Sequence, residues 1–325
     1  MKFRIALGDS SNLRPYGEYL KSTGLDIVYI PTRTATAEET LLNLRGFDGA
    51  VAGGEKFPKE VIDALSDRLR IICRFGLGYE MVDIAAAEQN GICVTNAAGT
   101  MAAGVAECAF LLMLEALRGF AKFDADIQAG IWERSFRGSQ LEGKTIGIVG
   151  FGSIGQKFAQ YCSGFGCRLI AYDIRFDEQI AKRLGVQGVS LEELASQSDI
   201  VSLHCPLMPE TEGMIGRAFL TRMKRTAYLV NSARGGLVDE PELVEALRSG
   251  RIAGAGLDVF VNEPLEMDSG LRGLRNVVMT PHIASRTFES LQECAEDVSE
   301  SLHAFLRGEV PRHCLNPGYI RNLRR

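Results

Sequence analysis

The sequence predicts an α/β protein built from two doubly wound parallel-sheet domains. Its 325 residues exceed the usual size of one domain, about 150 residues, so two domains are expected. Apolar strand-like runs alternate with helix-like segments in two separate series, and this rhythm predicts parallel sheets covered by helices on both faces. The second series also carries a glycine-rich turn between a strand and a helix.

The first hundred residues predict five strands with four helices between them. The strands are expected at Phe3–Leu7, Ile27–Ile30, Gly49–Ala52, Ile71–Cys73 and Ile92–Val94, where short apolar runs are typical of buried strands. The helices are expected at Pro15–Ser22, Ala37–Leu44, Pro58–Leu65 and Val82–Gln89. Right-handed crossovers between parallel strands make such a sheet doubly wound.

A long helix, Met101–Phe120, separates the two series and is apolar on more than one face, as expected for a helix buried on several sides. A more polar stretch, Lys122–Gly143, follows it. Six strands then fit Thr145–Val149, Arg168–Tyr172, Asp199–Cys205, Ala227–Asn231, Gly254–Val259 and Val277–Thr280. Helices between them fit Ser153–Cys162, Leu191–Gln197 and Asp239–Ser249. Six strands are the number in a complete dinucleotide-binding domain.

A last helix, about Phe288–Leu306, and a short tail follow the sixth strand of the second series. We expect this segment to pack back on the first domain. The predicted domains are therefore residues 1–99 plus 288–325, and residues 100–287.

Composition and charge narrow the function classes. Hydrophobic residues make up 46% of the chain and charged residues 24%, which is ordinary for a globular protein. The net charge of −5 argues against a nucleic-acid-binding surface, and no apolar run reaches the roughly 18 residues of a membrane span. Eight cysteines occur without a Cys-x-x-Cys pair or zinc-like spacing, so we expect a reduced, cytoplasmic protein without a metal centre.

The glycine-rich turn, Gly150–Gly155, follows the predicted strand Thr145–Val149 and opens a helix. This context favours a dinucleotide site, because Gly150 permits a tight turn, Gly152 lets the pyrophosphate approach the backbone, and Gly155 lets the helix pack on the sheet. The helix N-terminus supplies N–H groups and a positive dipole to the phosphates. The residues of the motif, Gly150, Gly152, Ser153, Ile154 and Gly155, are predicted to bind the cofactor.

Asp173 ends the next strand, 18 residues after Gly155. A carboxylate there accepts hydrogen bonds from the ribose hydroxyls and repels a 2′-phosphate. The sequence therefore predicts NAD as the cofactor.

The sequence also offers candidates for the three groups that hydride transfer to or from a hydroxy acid requires. The chemistry needs a proton carrier, a cation for the carboxylate and carbonyl, and a carboxylate that orients the imidazole. His282 and His204 follow strands of the second series, Arg234 follows another strand in a turn with two glycines, and Glu263 precedes a proline. Ligands bind at the carboxyl ends of strands in open α/β sheets.

Five motifs in this order and spacing resemble the D-isomer-specific 2-hydroxyacid dehydrogenases. They are Gly150–Gly155, His204–Leu207, Asn231–Gly236, Asp258–Pro264 and Thr280–Ser285. The resemblance covers nearly the whole chain. It implies an NAD-dependent dehydrogenase in which a Rossmann NAD-binding domain is inserted into a flavodoxin-like substrate domain, and a homodimer.

The resemblance also implies roles for individual residues. Arg234, Glu263 and His282 would form the catalytic trio, with Glu263 bonded to the imidazole of His282. A glycine loop of the first domain and Arg234 would bind the substrate carboxylate; the loop comprises Arg74, Phe75, Gly76, Leu77 and Gly78. Further cofactor contacts are expected from His204, Cys205, Pro206, Ser232, Ala233, Asp258, His282 and Ser285.

The substrate stays open between several 2-oxo acids. Phosphoglycerate dehydrogenases are the most similar subfamily, through Arg74–Gly78 and Trp132–Arg134. However, Glu55 stands in the loop after the third strand, where that subfamily carries an arginine suited to a phosphate. Glyoxylate or hydroxypyruvate reduction and a bulkier 2-oxo acid are alternatives. Another alternative is a non-enzymatic NAD-sensing protein, similar to corepressors of this fold, but the intact trio disfavours it. The trio also disfavours an S-adenosylmethionine or flavin protein.

Overall fold

The structure is a computed structural model that describes residues 2–9, 13–31 and 36–323. The chain forms two compact units. Unit 1 comprises residues 1–101 and 287–325, and unit 2 comprises residues 102–286. Within the described ranges, no helix has both the length and the apolar character that a membrane span requires.

Unit 1 contains one five-stranded sheet in which every pairing is parallel. Its strands are β1 Arg4–Gly8, β2 Asp26–Ile30, β3 Gly49–Ala52, β4 Ile71–Arg74 and β5 Cys93–Thr95. Its helices are α1 Arg14–Ser22, α2 Ala37–Leu44, α3 Lys59–Leu65, α4 Ile84–Gln89 and, after unit 2, α12 Phe288–Leu306. The strand order β2-β1-β3-β4-β5 is that of a flavodoxin-like sheet, which confirms the predicted fold of this part.

Unit 2 contains a seven-stranded parallel sheet with the order β12-β11-β10-β9-β6-β7-β8. Its strands are β6 Thr145–Val149, β7 Arg168–Tyr172, β8 Val186–Gly188, β9 Ile200–Leu203, β10 Tyr228–Asn231, β11 Gly254–Leu257 and β12 Val277–Met279. Its helices are α5 Ala102–Arg118, α6 Phe120–Gln128, α7 Ser153–Cys162, α8 Glu178–Leu184, α9 Leu191–Gln197, α10 Arg217–Arg222 and α11 Glu240–Arg248. Counted from the opposite edge, the six strands β8-β7-β6-β9-β10-β11 have the order 3-2-1-4-5-6 of a Rossmann domain, so this fold prediction is also confirmed.

The strand β8 corrects the sequence-based count. The prediction reached six strands by including β12 and omitting β8. Only Val186 of this three-residue strand is buried, so it lacks the apolar run that predicts a strand. The stretch after α5 was predicted only to be polar, but it begins with a second helix, α6, at Phe120–Gln128.

The long helix α5 lies directly on the sheet of unit 2. A Cβ atom on Gly256 of β11 would lie 2.9 Å from the carbonyl oxygen of Leu112, so only a glycine allows this approach. Seven residues of α5 are buried. The opposite face of the sheet has its own apolar cluster, which includes Val201, Leu229 and Leu257. Apolar burial on both faces holds the carboxyl ends of β6, β9, β10, β11 and β12 at one edge.

Candidate active site

All five sequence motifs of unit 2 follow the carboxyl ends of neighbouring strands. The glycine-rich turn follows β6, His204 follows β9, Arg234 follows β10, Glu263 follows β11 and His282 follows β12. The strand order reverses direction between β6 and β9. Such a switch point opens a crevice at the ends of the strands, which is where open α/β sheets bind ligands.

The glycine-rich turn leaves room for a phosphate group. Gly150 has a φ of 94°, and a Cβ atom there would lie 2.5 Å from the Cys205 nitrogen, so both its conformation and its contacts require glycine. A Cβ atom on Gly155 would lie 2.1 Å from the Gly150 oxygen, whereas one on Gly152 would meet nothing within 4 Å. Gly152 provides no side-chain cap for α7, so the first N–H groups of this ten-residue helix face the open space at Gly152. The turn therefore fits a pyrophosphate.

Asp173 is fixed beside this turn by its own carboxylate. Its Oδ2 accepts the Phe151 N–H at 2.6 Å, and its Oδ1 accepts the Arg175 N–H at 2.7 Å. A carboxylate has about four acceptor positions, so Asp173 retains acceptors for a hydroxyl pair.

Glu263 and His282 form a directly bonded pair. The Oε2 atom of Glu263 lies 2.7 Å from Nδ1 of His282, and Oε1 accepts the Phe260 N–H at 3.0 Å. Burial raises the pKa of the Glu263 carboxyl, but the bonds from His282 and Phe260 and the charges of His282 and Arg234 outweigh it, so the pKa is lowered. The carboxylate therefore stays ionised and orients the ring, whose side chain is 47% exposed.

Asp258 holds the loop that carries His282. Its carboxylate is fully buried and accepts three hydrogen bonds, from Thr280 Oγ1 (2.6 Å), Ile283 N (2.9 Å) and Ala284 N (2.8 Å). The Asp258 carbonyl accepts the His282 N–H at 2.8 Å, and His282 has a φ of 52°. Three bonds leave about one acceptor position, so the Asp258 carboxylate mainly anchors this loop.

The turn that carries Arg234 is braced by Asn231, a role that the sequence analysis does not assign. The Asn231 side chain accepts the Ala233 N–H at 3.0 Å and donates to the Arg234 carbonyl at 2.9 Å. Asparagine commonly stabilises turns in this way, so its place at the end of β10 is the signal for this role. A Cβ atom on Gly235 would lie 2.0 Å from the Phe260 carbonyl carbon, so this turn packs tightly on the segment before Glu263.

Two predicted cofactor contacts at this edge, Ser232 and His204, have different surroundings. Within the described ranges, the buried hydroxyl of Ser232 has no hydrogen-bond partner, which fits a site that a ligand completes. The His204 ring instead packs 4.9 Å from the Phe158 ring, and its Nε2 lies 2.9 Å from the Ser202 hydroxyl. Burial lowers the pKa of His204 to about 3, so the imidazole is neutral. Its Nδ1 also lacks a partner among the described residues, and the expected contact of His204 with the cofactor stays a prediction.

The predicted substrate loop lies in unit 1, after β4. The carbonyls of Gly76, Leu77 and Gly78 accept bonds from Ala97 N, Asn96 Nδ2 and Arg74 Nε. Among the described residues, the N–H groups of the same three residues have no hydrogen-bond partner. Because Leu77 is exposed and both glycines are partly exposed, these amides can bind an anion.

The Arg74 side chain, at the start of this loop, is buried. Its guanidinium donates to the carbonyls of Gly78, Ala52 and Gly53. The side chain therefore ties the loops after β3 and β4 together, and the expected contact of Arg74 with the substrate stays a prediction. Within the described part of the chain, no three His, Cys, Asp or Glu side chains are grouped as metal ligands.

The model of the D-isomer specific 2-hydroxyacid dehydrogenase NAD-binding domain matches residues 110–284, which include the whole edge described above. The chain belongs to this family. The predicted resemblance and enzyme class are thereby confirmed: the protein is an oxidoreductase that uses a nicotinamide cofactor to interconvert 2-hydroxy and 2-oxo acids.

Individual relatives agree with the family model. The chain is 43% identical to a glyoxylate reductase of Korarchaeum cryptofilum, over 81% of this chain and 80% of that protein. It is 38% identical to a D-3-phosphoglycerate dehydrogenase of Methanocaldococcus jannaschii, over 94% of this chain but 56% of that protein. The solved structure of the TT0316 protein from Thermus thermophilus has a TM-score of 0.87 and 34% identity, covering 96% of this chain and 99% of that one.

Proposed function

We propose that the protein reduces a small, unphosphorylated 2-oxo acid, such as glyoxylate or hydroxypyruvate, with NADH. The observation that carries the reaction type is the Glu263–His282 pair, 2.7 Å apart, at the same sheet edge as Arg234. Carbonyl reduction needs a proton carrier that is oriented by a carboxylate. It also needs a cation, such as a guanidinium, whose N–H donors can bind two oxygen atoms.

Each catalytic group has a defined part in the reaction. When bound, the reduced nicotinamide would supply the hydride. His282 gives a proton to the carbonyl oxygen of the substrate, and Glu263 stabilises the protonated ring. Arg234 holds the carboxylate and polarises the carbonyl. The amides of Gly76, Leu77 and Gly78 bind the substrate carboxylate.

The cofactor contacts follow the sheet edge. The α7 N-terminus and Gly152 would hold the pyrophosphate, and Asp173 the adenosine ribose. Residues near the nicotinamide would be Cys205, Pro206, Ser232, Ala233, Asp258 and Ser285.

The loop after β3 supports an unphosphorylated substrate. Glu55 is buried there, and its Oε2 accepts the Gly53 N–H at 2.6 Å. A carboxylate in this loop repels a phosphate, and the nearby Arg74 guanidinium is engaged by three carbonyls. The match to the Korarchaeum cryptofilum glyoxylate reductase over 80% of its length is in keeping with this substrate class.

A panel of 2-oxo acids tests the proposal. NADH oxidation is followed with glyoxylate, hydroxypyruvate, pyruvate, phenylpyruvate, 2-oxoglutarate and 3-phosphohydroxypyruvate. We expect the highest kcat/KM with glyoxylate or hydroxypyruvate. The match to a phosphoglycerate dehydrogenase over 94% of this chain makes 3-phosphohydroxypyruvate the second candidate. A preference for it would overturn our interpretation of Glu55.

We propose NAD(H) over NADP(H) because of Asp173. Replacing Asp173 with alanine should weaken NADH binding and relax the discrimination against NADPH by about tenfold or more, since a carboxylate repels a 2′-phosphate. Kd values for both cofactors, from quenching of protein fluorescence, measure the change. Asp177→Ala is the control, because Asp177 caps α8 nearby. An unchanged ratio of the two Kd values in Asp173→Ala would contradict the assignment.

We also propose a homodimer that covers the surface around α6. This helix has no buried residue, and large apolar side chains are exposed on and beside it, namely Phe120, Ile127, Ile131, Trp132 and Phe136. Apolar exposure of this extent commonly marks a protein interface.

All eight cysteines are free, which supports a cytoplasmic protein.

A further inference from the structure

Two cysteines far apart in sequence face each other in unit 1. Cys93 lies in β5 and Cys314 in the segment after α12, and their Sγ atoms are 3.8 Å apart. This segment runs antiparallel to β5, with a bridge between Thr95 and Cys314. The Leu315 N–H donates to the Val94 carbonyl at 2.8 Å. The two thiols are therefore held together by paired backbone.

Asn316 strengthens this pairing from inside the unit. Its side chain is buried, accepts the Val94 N–H at 2.8 Å and donates to the Ile92 carbonyl at 2.8 Å. The position of Cys314 next to Cys93 therefore does not depend on the thiols themselves.

The two thiols also differ in ionisation. The hydrogen bond from Cys93 lowers the pKa of Cys314 to about 7, against the opposing effect of burial, and a bond from the Asn316 backbone adds to it. The same contact and burial raise the pKa of Cys93. By contrast, burial raises the pKa of Cys108 and of Cys205 to about 11. Cys314 is only partly buried, and thiolates are the reactive form of cysteine.

We propose that Cys93 and Cys314 form a site of reversible oxidation, in which a peroxide converts the thiol pair to a disulfide. The Cys314 thiolate attacks a peroxide oxygen, the O–O bond breaks, and a sulfenic acid and water form after protonation of the leaving oxygen. The Cys93 sulfur then attacks the Cys314 sulfur, the S–O bond breaks, and a second water leaves with the Cys93 proton. Two electrons pass from the two sulfurs to the peroxide, and a dithiol returns them.

The disulfide would act on the substrate loop through Asn96. Bond formation closes the sulfur separation by about 1.8 Å, which moves Cys314 relative to β5. The carbonyl of the adjacent residue, His313, accepts the Asn96 N–H at 3.4 Å, and Asn96 Nδ2 donates to the Leu77 carbonyl at 2.8 Å. Oxidation therefore raises the KM for the 2-oxo acid and leaves NADH binding unchanged. This consequence rests on the proposed function of Gly76–Gly78.

Peptide mass spectrometry tests the disulfide directly. The reduced protein is treated with hydrogen peroxide, its remaining thiols are alkylated after denaturation, and it is digested with trypsin. We expect peptide Phe75–Arg118 linked to peptide His313–Arg321, two hydrogens lighter than the separate peptides and released by dithiothreitol. Because Phe75–Arg118 also contains Cys108, Cys93→Ser should abolish the link and Cys108→Ser should keep it. Alkylation of both Cys93 and Cys314 after peroxide would overturn the proposal.

Kinetics of the same samples test the consequence. We expect the KM for the preferred 2-oxo acid to rise severalfold on oxidation of wild type and Cys108→Ser, to return with dithiothreitol, and to stay constant in Cys93→Ser. A linked protein with an unchanged KM would overturn the coupling to the loop. If no 2-oxo acid is reduced by the untreated enzyme, the proposed function fails, while the linked peptide still decides the thiol chemistry.

Discussion

Replacing His282 with alanine is expected to lower kcat for 2-oxo acid reduction by about 10²- to 10⁴-fold, the usual contribution of a general acid. The ring has one nitrogen bonded to Glu263 at 2.7 Å and a half-exposed side chain, so the other nitrogen is the one placed to give a proton. Alanine removes that proton source. NADH binding should stay nearly intact, because the glycine-rich turn and Asp173 lie after other strands.

Two measurements separate this loss from unfolding. Steady-state turnover gives kcat, and fluorescence titration gives the Kd for NADH. His303→Ala is the matched control, because His303 lies on α12 and its Nε2 lies 3.4 Å from the Thr23 hydroxyl. The control should keep wild-type turnover. An unchanged kcat in His282→Ala would remove His282 from its proposed role.

A further replacement, Glu263→Gln, would separate the charge of Glu263 from its geometry. Glutamine keeps a group that can bond the ring, but it no longer stabilises the positive charge of a protonated imidazole.

The pKa of the Glu263 carboxyl is lower in the folded protein than in the unfolded chain. The contribution of this carboxylate to folding stability is therefore fully present above its pKa in the unfolded chain. That contribution is lost as the pH falls through the folded pKa.

Local patterns predicted most of this fold because buried parallel strands leave strong signals. Apolar runs located all five strands of unit 1. The glycine-rich motif located the turn after β6, where a side chain on Gly150 or Gly155 would clash with backbone a few residues or one strand away. The strand β8 escaped because only Val186 is buried. Periodicity also gave no sign of α6, whose residues bury no face.

The side-chain surroundings of two predicted site residues depend on partners distant in sequence. The His204 ring packs against Phe158 of α7. The Arg74 guanidinium is bonded to carbonyls after β3. In both cases the residue type and its place at a strand end were identified, whereas the direction of the side chain depends on packing that no local pattern encodes.

Replacing Arg234 with lysine is expected to lower kcat/KM for the 2-oxo acid by about 10²- to 10³-fold, comparable to the loss of a donor that stabilises a developing oxyanion. A guanidinium holds a carboxylate and a carbonyl with forked donors, whereas an ammonium acts as a point charge. The Asn231 brace and the Gly235 packing keep the turn in place without the guanidinium. The melting temperature and the Kd for NADH should therefore stay close to wild type. Arg217→Lys is the control, because Arg217 forms an exposed ion pair with Glu242.

Chemical rescue distinguishes a missing functional group from a damaged turn. Arg234→Ala should lose more activity than Arg234→Lys, and guanidinium ion at non-denaturing concentration should restore part of it, because the ion can occupy the space of the lost side chain. Methylammonium should restore much less, since it lacks the forked donors. Guanidinium should have no such effect on His282→Ala. Equal rescue by both ions would mean that Arg234 contributes only positive charge, and wild-type activity in Arg234→Lys would lead to the same conclusion.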